Sequence, residues 1–368
     1  MPSPKTRPSK PIAASRALRL GFIALNDAAP LIVAQEMGFF QRHGLRTVLS
    51  REVGWATIRD KIIYHELDAS HALGAMVLST TLGLSCPATP CVTGFVMNTS
   101  GNAITLSSEL WDLGVRDAST MRDEIVRSRR ERDYVFAVVF AHSAQHIQLC
   151  DWLASAGVNP QKDVRIVVVS PPQLFRNLVA HTIDGYCVGD PWNSLAVREQ
   201  MGWCPATSLD LSPGHPEKVL MVRADFAERQ AEEHLALVAA LAEAAALCDE
   251  PAYRFELAHL LARPEYLNVP ECVIASSLAG PFEDGRGRTI EGAAFVQFHR
   301  DGANDPTPAK ATWLIEGLVR HQLLPPGVTI PPGLAAQTFR SDLYHQATGS
   351  FVGVDDSDRA LRSGGSGR

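Results

Sequence analysis

The chain has 368 residues, enough to bury the cores of two lobes, and is 46% hydrophobic and 20% charged, as an ordinary globular protein is. These proportions exclude wholesale disorder, and a formal net charge of −6 supplies no global field that would gather nucleic acid. The nearest basic cluster, Arg127, Arg129, Arg130 and Arg132, is broken by Glu131 and Asp133 and reads as a solvated helix end, so no direct nucleic-acid binding is expected.

In chain order, Lys5, Arg7, Lys10 and Arg16 come first, with no apolar stretch of signal-peptide length before Leu18, so a cytoplasmic protein is expected. Leu18–Leu25 reads as a strand. Ala29–Phe40 has helical apolar spacing and ends near Gly44, and Leu45–Ser50, Thr57–Tyr64 and Ala69–Leu73 follow as strand, helix and strand. This βαβαβ order implies a parallel sheet whose binding edge lies at the carboxyl ends of its strands. Cys91–Met97 reads as a further strand and Asn98–Asn102 as a break.

A second α/β unit begins near Thr105, with strands at Val135–Phe140, Val164–Val169 and Gly185–Val188 and helices over Ala144–Ala156 and from Gln173. Val219–Val222 reads as a strand returning to the first lobe, followed mostly by helices to about residue 325. The apolar run Leu235–Cys248 contains Glu243 and is shorter than the roughly 20 residues a bilayer span needs, so it reads as a packed helix and no membrane span is expected. The expected fold class is α/β with two lobes, a ligand cleft between them and a helical C-terminal part. Its divisions are a tail at 1–17, lobe I at 18–100 and again at 211–348, lobe II at 101–210, and a tail at 349–368. Seven cysteines without CxxC spacing read as reduced thiols, and no metal or other cofactor is expected.

Several residues fall where such a cleft would lie. Trp55 sits at a strand-to-helix junction, where its indole offers a flat wall and a donor, or simply packs in the core. Lys218 is one of only six lysines among 34 basic residues, and it reads either as a point charge for a small anion or as a solvated loop lysine. Gly101 and Asn102 open a crossover, where backbone and amide groups can meet an oxygen or form a hinge turn. His71 falls at a strand end, and Trp192 reads as core.

Beyond these single positions, the chain from about Leu18 to Ala347 resembles the nitrate/bicarbonate-binding receptors of the NrtA/CmpA type. Within them it is most similar to the cytoplasmic nitrate/nitrite sensors of the NasS type. The landmarks are GFIALNDAAPLIVAQEMGFFQRHGL from Gly21, GWATIRDKI from Gly54, GNAITLS from Gly101, GYCVGDPWN from Gly185 and GHPEKVLMVRADF from Gly214. The resemblance implies a periplasmic-binding-protein-like (type II) fold. It also implies that tryptophan at position 55, an amide at position 102 and lysine at position 218 contact the anion, with His71 in support, the lysine favouring nitrate or nitrite over bicarbonate.

One position departs from the family pattern. A histidine is expected at the start of the helix that carries Trp152, and counting back places Gln145 there, with His146 one residue away. Either side chain would gain from a helix N-terminus. The function implied is a cytoplasmic nitrate/nitrite sensor controlling an RNA-binding antiterminator of the NasT type, the alternative being the substrate-binding subunit of a nitrate/nitrite or bicarbonate ABC importer. No GxSxG, HExxH, P-loop or GxGxxG sequence stands in a suitable context, so an enzyme is not expected.

Overall fold

The computed structural model of the chain describes residues 16–349, so the expected terminal tails lie almost entirely outside the described residues. The described residues form fourteen strands: β1 Leu18–Phe22, β2 Thr47–Arg51, β3 Ala69–Leu73, β4 Cys91–Val92, β5 Val96–Ser100, β6 Asn102–Ser107, β7 Val135–Val138, β8 Arg165–Val168, β9 Gly185–Gly189, β10 Gly202–Thr207, β11 Pro216–Arg223, β12 Pro281–Glu283, β13 Thr289–Glu291 and β14 Val296–Gln297. Seven form one sheet in the order β14-β5-β11-β3-β1-β2, with β4 also on β11, and five form a second in the order β10-β6-β9-β7-β8.

The expected βαβαβ unit is present, since β1 pairs in parallel with both β2 and β3. Each sheet is nevertheless mixed, because β11 runs antiparallel to β3 and β5, and β6 antiparallel to β9. The helix expected over residues 29–40 is two pieces, Ala29–Glu36 and Phe39–Arg42, separated where Gly38 takes φ +71°. The expected break at Asn98–Asn102 is instead a nearly continuous passage from β5 to β6. Ser100 at φ +61° and Gly101 at φ +94° turn the chain from one sheet to the other within two residues. The C-terminal part is mainly helical, but it also carries β14 and the β12–β13 hairpin, which the sequence reading did not foresee.

Hydrogen bonds join the two sheets. The Asn26 N–H donates to Asp190 O at 2.8 Å and the Trp192 indole N–H to Ala24 O at 3.2 Å, tying the end of β9 to the segment after β1. The β12–β13 hairpin grips the five-stranded half from outside. The Cys204 N–H donates to Asp284 O at 2.9 Å, and Arg288 makes a bidentate pair with Asp210 at 2.6 and 2.9 Å. Arg286 lies 4.2 Å over the ring of Trp111, and Arg116 lies 3.6 Å from the same ring. No helix among the described residues is long and apolar enough to cross a membrane.

Candidate functional site

Where the sheets meet, β11 departs from regular pairing, its register against β5 shifting on either side of Lys218. Successive side chains of a regular strand point to opposite faces, and an irregularity of this kind re-aims them. Here neighbouring Glu217 and Lys218 enter one cluster, with the Lys218 ammonium 2.7 Å from Glu217 Oε1 and 2.7 Å from Asp27 Oδ2. The Lys218 side chain is 0% exposed. Burial opposes its charge, but Asp27 and then Glu217 outweigh that and hold its pKa above the usual value. Burial would likewise raise the Glu217 carboxyl, but Lys218 and His215 pull it down to about 2.

Each carboxylate is held from its other side. His71, from β3, places Nε2 2.8 Å from Asp27 Oδ1, while its Nδ1 accepts from the Ile23 N–H at 3.4 Å. This is the neutral tautomer, and burial keeps the His71 pKa low despite Asp27. On the second carboxylate, Glu217 Oε2 accepts from Asn102 Nδ2 at 2.7 Å and stands 3.1 Å from His215 Nε2. Glu217 Oε1 also accepts from Gln145 Nε2, and that amide donates to Asn102 Oδ1 at 3.1 Å as well. Gln148 accepts from Asn102 Nδ2 at 3.0 Å.

Trp55 opens the helix Trp55–Ile63 and is 1% exposed. Its ring centroid lies 5.3 Å from that of His71 and 5.5 Å from Lys218 Nζ. The indole N–H is buried without a partner, as is Gln145 Oε1. Such atoms are costly to leave dry, and they mark positions where a ligand polar atom would be accepted. A lysine ammonium carries three donors and Lys218 has two assigned, so a third also remains available. Gly189, at the end of β9, approaches so closely that an added Cβ would lie 3.0 Å from Asp27 Oδ2 and 3.5 Å from Asn102 Oδ1, which explains a residue without a side chain there.

The structure therefore brings Trp55, His71, Asn102, Gln145 and Lys218 into one cluster. Gly101 borders it, lining a cavity of about 10 Å³ with Asp27, Asn98 and Asp190. His146 is not brought in: its Nδ1 lies 2.8 Å from Ala141 O, and burial pushes its pKa down to about 4. Lys218 lies inside a strand rather than in a solvated loop, and Trp192 is buried, as read. Sequence reasoning missed Asp27, Glu217, His215 and Gln148. An acid within the apolar run Phe22–Val33 was the available signal for Asp27; Glu217 fell outside the strand read from Val219, whereas β11 begins at Pro216. No group of His, Cys, Asp and Glu among the described residues has the geometry of a metal site. A cavity of about 540 Å³ lies elsewhere, between the helix Trp192–Arg198 and the β12–β13 hairpin, and shares no lining residue with the cluster.

The chain is similar to several known proteins. The NMT1-like family profile matches residues 13–262. The nitrate/nitrite binding protein NrtA of Synechococcus elongatus is 31% identical over 343 residues, covering 90% of this chain and 77% of the relative. The nitrate import ATP-binding protein NrtC of Synechocystis is 39% identical over 308 residues, covering 82% of this chain and 46% of the relative, so the chain spans about half the length of that protein. The crystal structure of the periplasmic nitrate-binding protein NrtA from Synechocystis superposes with a TM-score of 0.84 at 28% identity, covering 91% of this chain and 89% of that one.

Proposed function

Since this chain belongs to the NMT1-like family and, within it, to the NrtA/CmpA-type binding proteins rather than to an enzyme family, we propose that it is a receptor for nitrate or nitrite. We propose further that it acts as a cytoplasmic sensor controlling an RNA-binding antiterminator of the NasT type in nitrate assimilation. The observation that carries the binding reading is the buried Lys218 ammonium, with an unassigned donor, beside the unpartnered indole N–H of Trp55. Two donors and a flat aromatic wall suit a small planar oxyanion. In this reading Trp55 and Lys218 contact the anion, Gln145, Asn102 and His71 position the contacts, Gly101 allows the close passage between sheets, and His146 stands outside.

The sensor role is supported by seven cysteines that are all free, with Cys272 exposed and Cys86 half-buried, a pattern suited to a reducing compartment. The importer-subunit reading is favoured by the relatives, which are named for nitrate import or as periplasmic nitrate binding. Calorimetric titration with nitrate, nitrite and bicarbonate, run beside a pull-down with and without the bound anion, separates the two. Micromolar nitrate or nitrite binding that releases a soluble partner is the expected result. Binding without a partner returns the importer subunit to first place, and no binding of nitrate or nitrite overturns the receptor reading.

A further inference from the structure

We propose that anion binding in this crevice takes up one proton, held by His215 on the far side of Glu217. This rests on the receptor reading and concerns its regulation. The starting point is a charge count. Lys218 is bonded to two buried carboxylates, Asp27 and Glu217, so with neutral imidazoles the cluster already carries more negative than positive charge before any anion arrives. A second unit of negative charge in a dry site is strongly disfavoured unless a proton compensates it.

The groups facing the cluster come from every neighbouring element. Asp27 follows β1, His71 lies on β3, Glu217 and Lys218 lie on β11, and Cys187 lies on β9 with burial holding it as a thiol. Asp190 follows β9 and shares the small cavity with Asp27, its pKa pushed up by burial against the hydrogen bond from Ser194. Asn102, Gln145 and Gln148 are neutral amides, and Trp313 packs on His215 with ring centroids 5.5 Å apart.

Of the two histidines, His71 is already satisfied as a neutral ring, donating to Asp27 and accepting from the Ile23 N–H. His215 differs. Its Nδ1 lies 3.1 Å from Ser212 O and its Nε2 3.1 Å from Glu217 Oε2, so both nitrogens face oxygen acceptors, and only the imidazolium donates to both. The neutral ring has a second partner, since Gln148 Nε2 lies 3.2 Å from Nε2 and can donate to it, both hydrogens of Asn102 Nδ2 being taken by Glu217 and Gln148. The ring therefore has satisfied arrangements in both protonation states, and negative charge beyond Glu217 selects the protonated one. By reciprocity, lowering the pH tightens the anion by the same factor that the anion tightens the proton.

The test is nitrate calorimetry on the full chain in buffers of different ionisation enthalpy, with the dissociation constant followed from about pH 5.5 to 8.5. Expected are uptake approaching one proton per nitrate and, at the alkaline end, weakening of about tenfold per pH unit. His215→Gln is expected to flatten the profile at the weak limit, and Glu217→Gln, which removes the repelling charge, to flatten it at the tight limit. Nitrate binding with no buffer dependence overturns the coupling alone, and uptake that persists in His215→Gln overturns the assignment to that ring. Failure of nitrate to bind native protein and both variants at every pH overturns the receptor reading and the coupling with it. The buffer experiment uses native protein, so it remains decisive if a variant does not fold.

Discussion

The two halves of the crevice are built from different chemistry. The half on the seven-stranded sheet supplies every charge of the central chain, Asp27, Glu217 and Lys218, together with His71 and Trp55. The five-stranded half supplies amides, with Asn102 on β6 and Gln145 and Gln148 on the helix Ala144–Ser155. One half fixes charge in a dry, mutually bonded network; the other adds neutral amides bonded to Glu217 and to one another. Charge and neutral donors thus come from separate parts of the chain, and substitutions on the two sides should fail differently.

The largest effect is expected at Lys218. Lys218→Ala should abolish nitrate binding and also leave two buried carboxylates without their cation, a change that costs about 3–5 kcal/mol when a buried pair is broken. Denaturant melts beside calorimetry would show both losses; unchanged stability would mean that the network relaxes by admitting water. Next comes Glu217, whose carboxyl is held at about 2 against a usual value of 4.5. A depressed folded-state pKa gives stability that is complete above pH 4.5 and lost as pH falls through about 2, on the order of 3 kcal/mol in all. Glu217→Gln should remove that acid-limb slope from urea melts taken across the window.

Smaller changes should separate donor from scaffold. Trp55→Phe keeps an aromatic wall but removes the unpartnered N–H, so nitrate affinity should fall about tenfold while stability stays level or rises. On the amide side, Gln145→Ala removes donors to Glu217 and Asn102, and a similar affinity loss with a modest drop in melting temperature is expected. The smallest effect belongs to the outer grip. Arg288 and Asp210 are both partly exposed, and an exposed pair contributes only about 0.2–1 kcal/mol, so Arg288→Ala should shift nitrate affinity no more than a few-fold.

Much of the fold was legible because its inner strands bury both faces. Ala69–Leu73 has the same bounds in the sequence reading and in the structure. Trp55 was legible from its place between strand and helix, and Lys218 from the scarcity of lysine in a chain that otherwise uses arginine. Glu217 was not legible, because the strand read from the sequence began at Val219 and left it outside, whereas β11 starts at Pro216 and its register shift brings Glu217 into the cluster beside Lys218. Asn98–Asn102 carries polar side chains that read as a loop, whereas the structure buries them along β5 and β6, with Asn98 Nδ2 bonded to Ser100 O at 3.0 Å. The β12–β13 hairpin escaped because its strands are three residues each and enclose Asp284-Gly-Arg-Gly-Arg288, which shows only turn chemistry.

That hairpin also gives the molecule an optical readout of its own. Trp111 is covered by Arg116 from its own half and by Arg286 from the hairpin, with the indole of Trp203 packed at its edge 5.0 Å away. Were the hairpin withdrawn from the five-stranded half, Arg286 would leave and Arg116 would stay, so the ring would pass from two neighbouring cations to one. Its emission would then report the seating of the hairpin on the five-stranded half, without any attached dye.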